Sequence, residues 1–102
     1  MEKRDNKRKK LRLLVQADPG SFRAVTADIS KTGMFLVSTK TFAPGTKVRL
    51  TIKINGGVAL GAGVVKWAKR VPQALIRHSR GGMGIEFTWV SPELQEILDG
   101  IS

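Results

Sequence analysis

Apolar and polar residues alternate with period two over most of this chain, the spacing of strands that bury one face. The clearest case is residues 47–54, KVRLTIKI, which put Val48, Leu50, Ile52 and Ile54 on one face and Lys47, Arg49, Thr51 and Lys53 on the other. Upstream, LRLLVQ at 11–16 and FRAVTADI at 22–29 flank Asp18, Pro19, Gly20 and Ser21, a cluster with strong turn chemistry, and read as a β-hairpin. GMFLVS at 33–38 is a further extended stretch that runs to the turn signal Ala43, Pro44 and Gly45. Asn55, Gly56 and Gly57 tolerate positive φ and suit a tight hairpin into VALGAGVVKWAKRV, where Gly61 and Gly63 call for a bend or bulge. Residues 71–80 read as a loop with a short strand at 74–76, and GMGIEFTW at 82–89 as the closing strand.

The period then changes. Ser91 can cap, Pro92 suits the first helical position, Glu93 favours the positive end of the helix dipole, and Leu94, Ile97, Leu98 and Ile101 form one apolar stripe. A short C-terminal helix is expected to pack on the sheet. Sequential short strands, tight turns and curvature glycines favour an all-β fold, a six-stranded antiparallel β-barrel, because closure removes exposed edges. With 102 residues there is room for one core and one domain.

Matching apolar faces across the Asp18 to Ser21 reversal sets Leu11, Leu13 and Val15 opposite Ile29, Ala27 and Val25. A slip of one residue would bury Thr26 and Asp28, so the matched register is the expected one. In it Asp28 faces Arg12 and Ser30 faces Lys10, both directed outward at the end of the hairpin where the chain begins.

Charge adds a partner to this picture. Eighteen Lys and Arg against eight Asp and Glu leave a formal net charge of +10, which points to an anionic ligand or surface. Residues 1–12 hold Lys3, Arg4, Lys7, Arg8, Lys9, Lys10 and Arg12 against Glu2 and Asp5, a net +5 and so half of the total. Residues 1–10 are therefore expected to form a flexible basic arm, and 11–102 the barrel with its helix. The chain has no cysteine, which rules out a disulfide framework, a thiolate metal site and a cysteine nucleophile, and fits a reducing cytoplasm. No apolar run approaches the ~20 residues that span a bilayer, and the start lacks a signal-peptide stretch. A cytoplasmic location without membrane insertion is the expectation.

Two spacings carry chemistry: Arg4 and Arg8 as R-x-x-x-R in the arm, and Asp28, Ser30 and Gly33 as D-x-S-x-x-G in DISKTG. The hairpin delivers the first beside the second. Arginine's planar fork gives parallel hydrogen bonds to guanine O6 and N7 or to phosphate oxygens, and its flat face stacks on a base. A carboxylate at Asp28 can accept from guanine N1–H and the exocyclic amine, Ser30 can donate or accept, and Gly33 lets backbone take positive φ or approach a ligand closely. The bland alternatives are a salt bridge from Asp28 to Arg12, ordinary turn chemistry at Ser30 and Gly33, and a solvated tail at Arg4 and Arg8.

With both motifs present, the chain resembles the PilZ domain family, whose hallmark is this arginine pair followed, after one hairpin, by the aspartate-serine-glycine motif. PGTKVRLTIKI, GAGVVKWAKR, GGMGIEF and the terminal helix follow in the family's order. The resemblance implies a six-stranded barrel that binds bacterial cyclic di-GMP, needs no other cofactor, and contacts its ligand through Arg4, Arg8, Asp28, Ser30 and Gly33. Lys3, Lys7 and Lys31 are accessory candidates. A basic residue at Lys3, just before the arginine pair, favours two ligand molecules per domain.

Catalysis is poorly served. Asp28 and Ser30 stand two apart on one strand with no room for His78 between them, and one histidine without cysteines leaves too few metal ligands. A barrel binding single-stranded nucleic acid is the main rival, weakened by four Phe, two Trp and no Tyr for base stacking. Trp67 and Trp89 are expected in the core or against the helix, and Met34 and Met83 as core filler. A ligand-independent interaction module is a third reading. The favoured mechanism has the arm order on the ligand and pass the signal to a separate, unidentified downstream protein or a second copy of the chain as a homodimer.

Overall fold

The computed structural model of the chain describes residues 9–38, 40–70 and 81–101. Among them six strands, β1 (Leu14–Asp18), β2 (Phe22–Ile29), β3 (Gly33–Val37), β4 (Lys47–Ile54), β5 (Gly57–Lys69) and β6 (Gly82–Val90), precede one helix, α1 (Pro92–Asp99). The strands form a closed antiparallel barrel in the order β1-β2-β3-β6-β5-β4. Closure is made by β1 on β4, with Val15 opposite Ile52 and Ala17 opposite Leu50, so neither strand is left as a free edge. The expected all-β architecture is the one observed. The strand expected at 74–76, and His78, lie outside the described residues.

Period two decides what enters the core. Val48, Leu50 and Ile52 of β4 are buried while Lys47, Arg49 and Lys53 are exposed; Ile54, beside the hairpin, is only half-buried. Met34, Leu36, Met83 and Ile85 bring β3 and β6 into the same core, the two methionines as filler. At the end of the chain the Ser91 hydroxyl accepts from Leu94 N at 3.2 Å and from Leu60 N at 3.0 Å, so one side chain caps α1 and ties it to β5. Leu94, Leu98 and Ile101 then join the core, as their spacing predicts.

The first hairpin departs from the expected register. Leu14 pairs with Val25, Val15 with Ala24, Gln16 with Arg23 and Ala17 with Phe22, one residue away from the predicted alignment. The inward face of β2 is therefore Phe22, Ala24 and Thr26. Burying Thr26 is tolerated because its hydroxyl is satisfied on both sides: it donates to Leu11 O and accepts from Leu13 N at 2.8 Å. Asp28 escapes the same fate through a register shift between Thr26 and Asp28 in the β2–β3 ladder, which returns Ile29 to the core and leaves Asp28 half-buried. Face matching alone could not foresee a polar residue inside and a bulge that resets the count.

Candidate ligand-binding site

Four residues line up across four neighbouring strands. Asp28 pairs with Phe35, Phe35 with Gly84, and Gly84 with Trp67, so the row runs from β2 through β3 and β6 to β5. Antiparallel partners share a face. Because Met34, Leu36, Met83 and Ile85 on either side are buried in the core, the row faces outward. It floors an open cavity of about 430 Å³ whose walls include Thr32, Gly33, Lys66 and Glu86.

Lys9 joins this region to the start of the chain. It exchanges two backbone hydrogen bonds with Ile29, N to O at 2.9 Å and O from N at 3.0 Å, beside Asp28. The pairing expected for this stretch was Leu11 with Ile29, so Asp28 opposite Arg12 and Ser30 opposite Lys10 are not kept. The direction of the chain is nonetheless as expected: it arrives at DISKTG. Lys3, Arg4, Lys7 and Arg8 lie outside the described residues.

Within DISKTG the residues have separate fates. Asp28 lines the cavity. Ser30, expected to point outward, is fully buried; its hydroxyl donates to Gly33 O at 3.3 Å, and its backbone N donates to the same oxygen at 2.8 Å. Ser30 Oγ also accepts from Thr32 N at 3.4 Å, so the side chain knits the β2–β3 turn together. Lys31, at the tip, is exposed. Gly33 has no positive φ; its lack of a side chain instead lets β6 come close, since a Cβ there would sit 2.1 Å from Ile85 O.

Several wall residues were not nominated by sequence. Trp67, expected to be packed away, is 48% exposed on the cavity wall; Trp89, also expected inside, is 54% exposed but does not line the cavity. Alternation along β5 buries Ala59, Gly61, Gly63 and Val65 and would send Trp67 inward as well; a register shift between Val65 and Trp67 turns it out. Once outside, the indole stacks on Phe35, with ring centroids 5.1 Å apart and planes at 19°. Lys66 and Glu86 form an exposed ion pair at 3.5 Å. Such a pair contributes little stability, so its lysine is cheap to redirect. Among the described residues, the charged side chains lining the cavity are thus Asp28, Lys66 and Glu86, two carboxylates and one amine.

A second groove, about 720 Å³, lies over Asp18, Pro19, Lys47, Arg49 and Thr88; among the described residues, none of those nominated lines it. Among the described residues no group of three or more His, Asp or Glu could hold a metal ion. No described helix is long and apolar enough to cross a membrane.

The family model for the PilZ domain matches residues 2–101. The chain belongs to the PilZ domain family. Among solved structures, this PilZ barrel is similar to the inhibitor of motility MotI/DgrA of Bacillus subtilis, with TM-score 0.76 and 22% identity over 96% of this chain and 48% of that one. The chain thus spans about half of that neighbour's length. It is also similar to the PilZ domain of YcgR from Escherichia coli, solved with c-di-GMP, with TM-score 0.70 and 15% identity over 96% of this chain and 87% of that one. Likeness at these identities concerns the fold. No curated protein matches the chain.

Proposed function

We propose that this PilZ domain is a cyclic di-GMP receptor in which Arg4 and Arg8 close over the Asp28 cavity and thereby alter a surface read by another protein. The observation that carries the reading is the paired backbone of Lys9 and Ile29, which brings Lys9, the residue that follows the arginine motif in sequence, alongside the aspartate motif. Arg8 is the next residue along, and Arg4 is five residues from Lys9, at most about 18 Å of extended chain. The cavity's own charge supports a clamp. Among the described residues the cavity offers two carboxylates and one lysine, a poor reception for a phosphodiester ring, and residues 1–12 carry a net +5 that can supply the missing cations.

In this reading Asp28 accepts from the guanine edge, while the arginines take guanine acceptors and phosphate oxygens. Ser30 holds the turn that presents Asp28, and Gly33 keeps that turn against β6. Lys3, Lys7, Lys31 and Lys66 are further cations able to neutralise phosphates, and the basic residue Lys3 before the arginine pair favours two ligand molecules. The YcgR domain is described with c-di-GMP, and the Bacillus neighbour as an inhibitor of motility. By analogy this chain acts as an effector or adaptor without catalysis, and its output is a changed affinity for a partner protein.

Isothermal titration calorimetry with cyclic di-GMP, beside GTP and a short single-stranded oligonucleotide, tests the reading. Cyclic di-GMP alone is expected to bind with a resolvable heat, with two molecules per domain; a stoichiometry of one removes the paired ligand. Replacing Arg4 or Arg8 by Ala is expected to cost about 2–4 kcal/mol, the loss of a charge-assisted bidentate contact. An unchanged dissociation constant refutes the clamp. The exposed indoles of Trp67 and Trp89 lend the single-strand reading the platforms it lacked, and preferential heat from the oligonucleotide is the result that adopts it.

A further inference from the structure

We infer that the outer wall formed by β4, β5 and the end of β6 is a docking face for an acidic amphipathic helix of a partner protein. The face stands apart from the cyclic di-GMP reading: among the described residues, its groove shares no lining residue with the Asp28 cavity. Cross-strand pairing sets Asp18, Arg49, Ala62 and Trp89 in one row over β1, β4, β5 and β6, with Lys47 opposite Val64 beside it. Antiparallel partners share a face, and Val48, Leu50, Gly61 and Gly63 alongside are buried, so both rows point outward. Ala62 and Val64 floor the groove of about 720 Å³, Lys47 and Arg49 line one bank, and Thr88 lines the other next to Trp89. Two strand steps of about 4.8 Å take β4 to β6, ~10 Å in all, which is the width of a helix. Because the barrel is closed, an added strand finds no edge here, and a partner has to be recognised through side chains.

Charge selects an acidic partner. Arg49 stands directly opposite Asp18, yet the Asp18 carboxylate accepts from Ser21 N at 3.1 Å and Ser21 Oγ at 3.0 Å instead. Glu86, across from Val64, is held by Lys66. Among the described residues Lys47, Arg49 and Lys53 therefore have no ion-pair partner, and β4 presents a stripe of unanswered positive charge. Apolar side chains stand next to that stripe. Val58 is opposite Lys53 and Leu60 opposite Thr51, 45% and 43% exposed. Of the large hydrophobic side chains exposed among the described residues, all but Trp67 lie on β1, β5 and β6 outside the Asp28 cavity. Exposed aliphatic groups beside a tryptophan and an arginine have the make-up of an interface with another protein. Val58 and Leu60 offer no π-face to a nucleotide base, which favours a polypeptide over a single strand.

The test uses the full chain and a fluorescein-labelled synthetic helix of about 18 residues with Glu along one face and Leu along the other. Anisotropy is expected to show binding that weakens with added salt, and amide shifts in NMR are expected around Lys47, Arg49, Ala62 and Trp89. Lys47→Glu combined with Arg49→Glu, and separately Trp89→Ala, are each expected to weaken the peptide about tenfold or more. A peptide with Ser in place of Leu is expected to lose as much, which separates docking from attraction to a basic surface. Affinity within twofold of wild type in both variants overturns the face, as do shifts confined to residues 1–12 or to the Asp28 cavity. Tighter binding of a short single-stranded oligonucleotide or of phosphatidylglycerol vesicles through the same residues overturns the helix as occupant. Calorimetry with cyclic di-GMP on the double variant is expected to match wild type, so the docking face and the receptor reading fail separately. Thermal melts check folding; should either variant melt early, the Ser peptide and the wild-type shift map decide.

Discussion

Gly33→Ala separates the barrel's needs from the ligand's. An ideal Cβ at Gly33 lies 2.1 Å from Ile85 O, 3.1 Å from Ile85 C and 3.3 Å from Glu86 Cα. An ordinary carbon–oxygen approach is about 3.3 Å, so β3 and β6 have to part by about 1.2 Å at this end of their ladder. The obstructing atoms are backbone, which no rotamer change can move. A hydrogen bond stretched by that much ceases to be one. Two ladder bonds lost near Gly33, at 0.5–1.5 kcal/mol each, together with overpacking of 1–3 kcal/mol, give a cost of about 2–6 kcal/mol. For a domain of this size each kcal/mol lowers Tm by roughly 4–8 °C, so a fall of about 10 °C or more is expected in a circular-dichroism melt. A Tm within about 3 °C of wild type refutes the close-approach account. Cyclic di-GMP binding lost without any fall in Tm would instead return Gly33 to the ligand.

Two further substitutions probe other parts of the scaffold. Thr26→Val keeps the shape and strips the hydroxyl, leaving Leu11 O and Leu13 N without their partner; a loss of about 2–3 kcal/mol is expected in urea unfolding with an unchanged m-value, and an unchanged midpoint refutes the role. Ser91→Ala removes the cap of α1 and the tie to Leu60 N together; about 1–2 kcal/mol is expected, with faster amide exchange at Leu94 and Leu60, and exchange left as in wild type contradicts it.

Both motifs and the family follow from local spacing: R-x-x-x-R, then D-x-S-x-x-G after one Asp-Pro-Gly turn. Five of the six strands and the helix were likewise legible from period two and from Ser91-Pro92-Glu93. β1 was the exception. Its boundaries moved because 11–16 alternates too loosely to choose between two registers, and the choice fell to how Thr26 could be satisfied by Leu11 and Leu13, a contact between residues on different strands. Ser30 illustrates the same division: its identity is a sequence fact, whereas its burial depends on the carbonyl of Gly33 folding over it.

What this chain's sequence determines alone is where its period-two stretches and terminal helix lie, the sign and placement of its charge, and the order of its motifs, since each depends on neighbours a few residues away. What only the tertiary structure decided is which side chains share the cavity. Trp67 and Asp28 stand opposite to a strict alternation count because one bulge in β5 and one in β2 each advance the pleat by a residue. A bulge is set by the partner strand as much as by its own, and closure of the barrel fixes every partner at once.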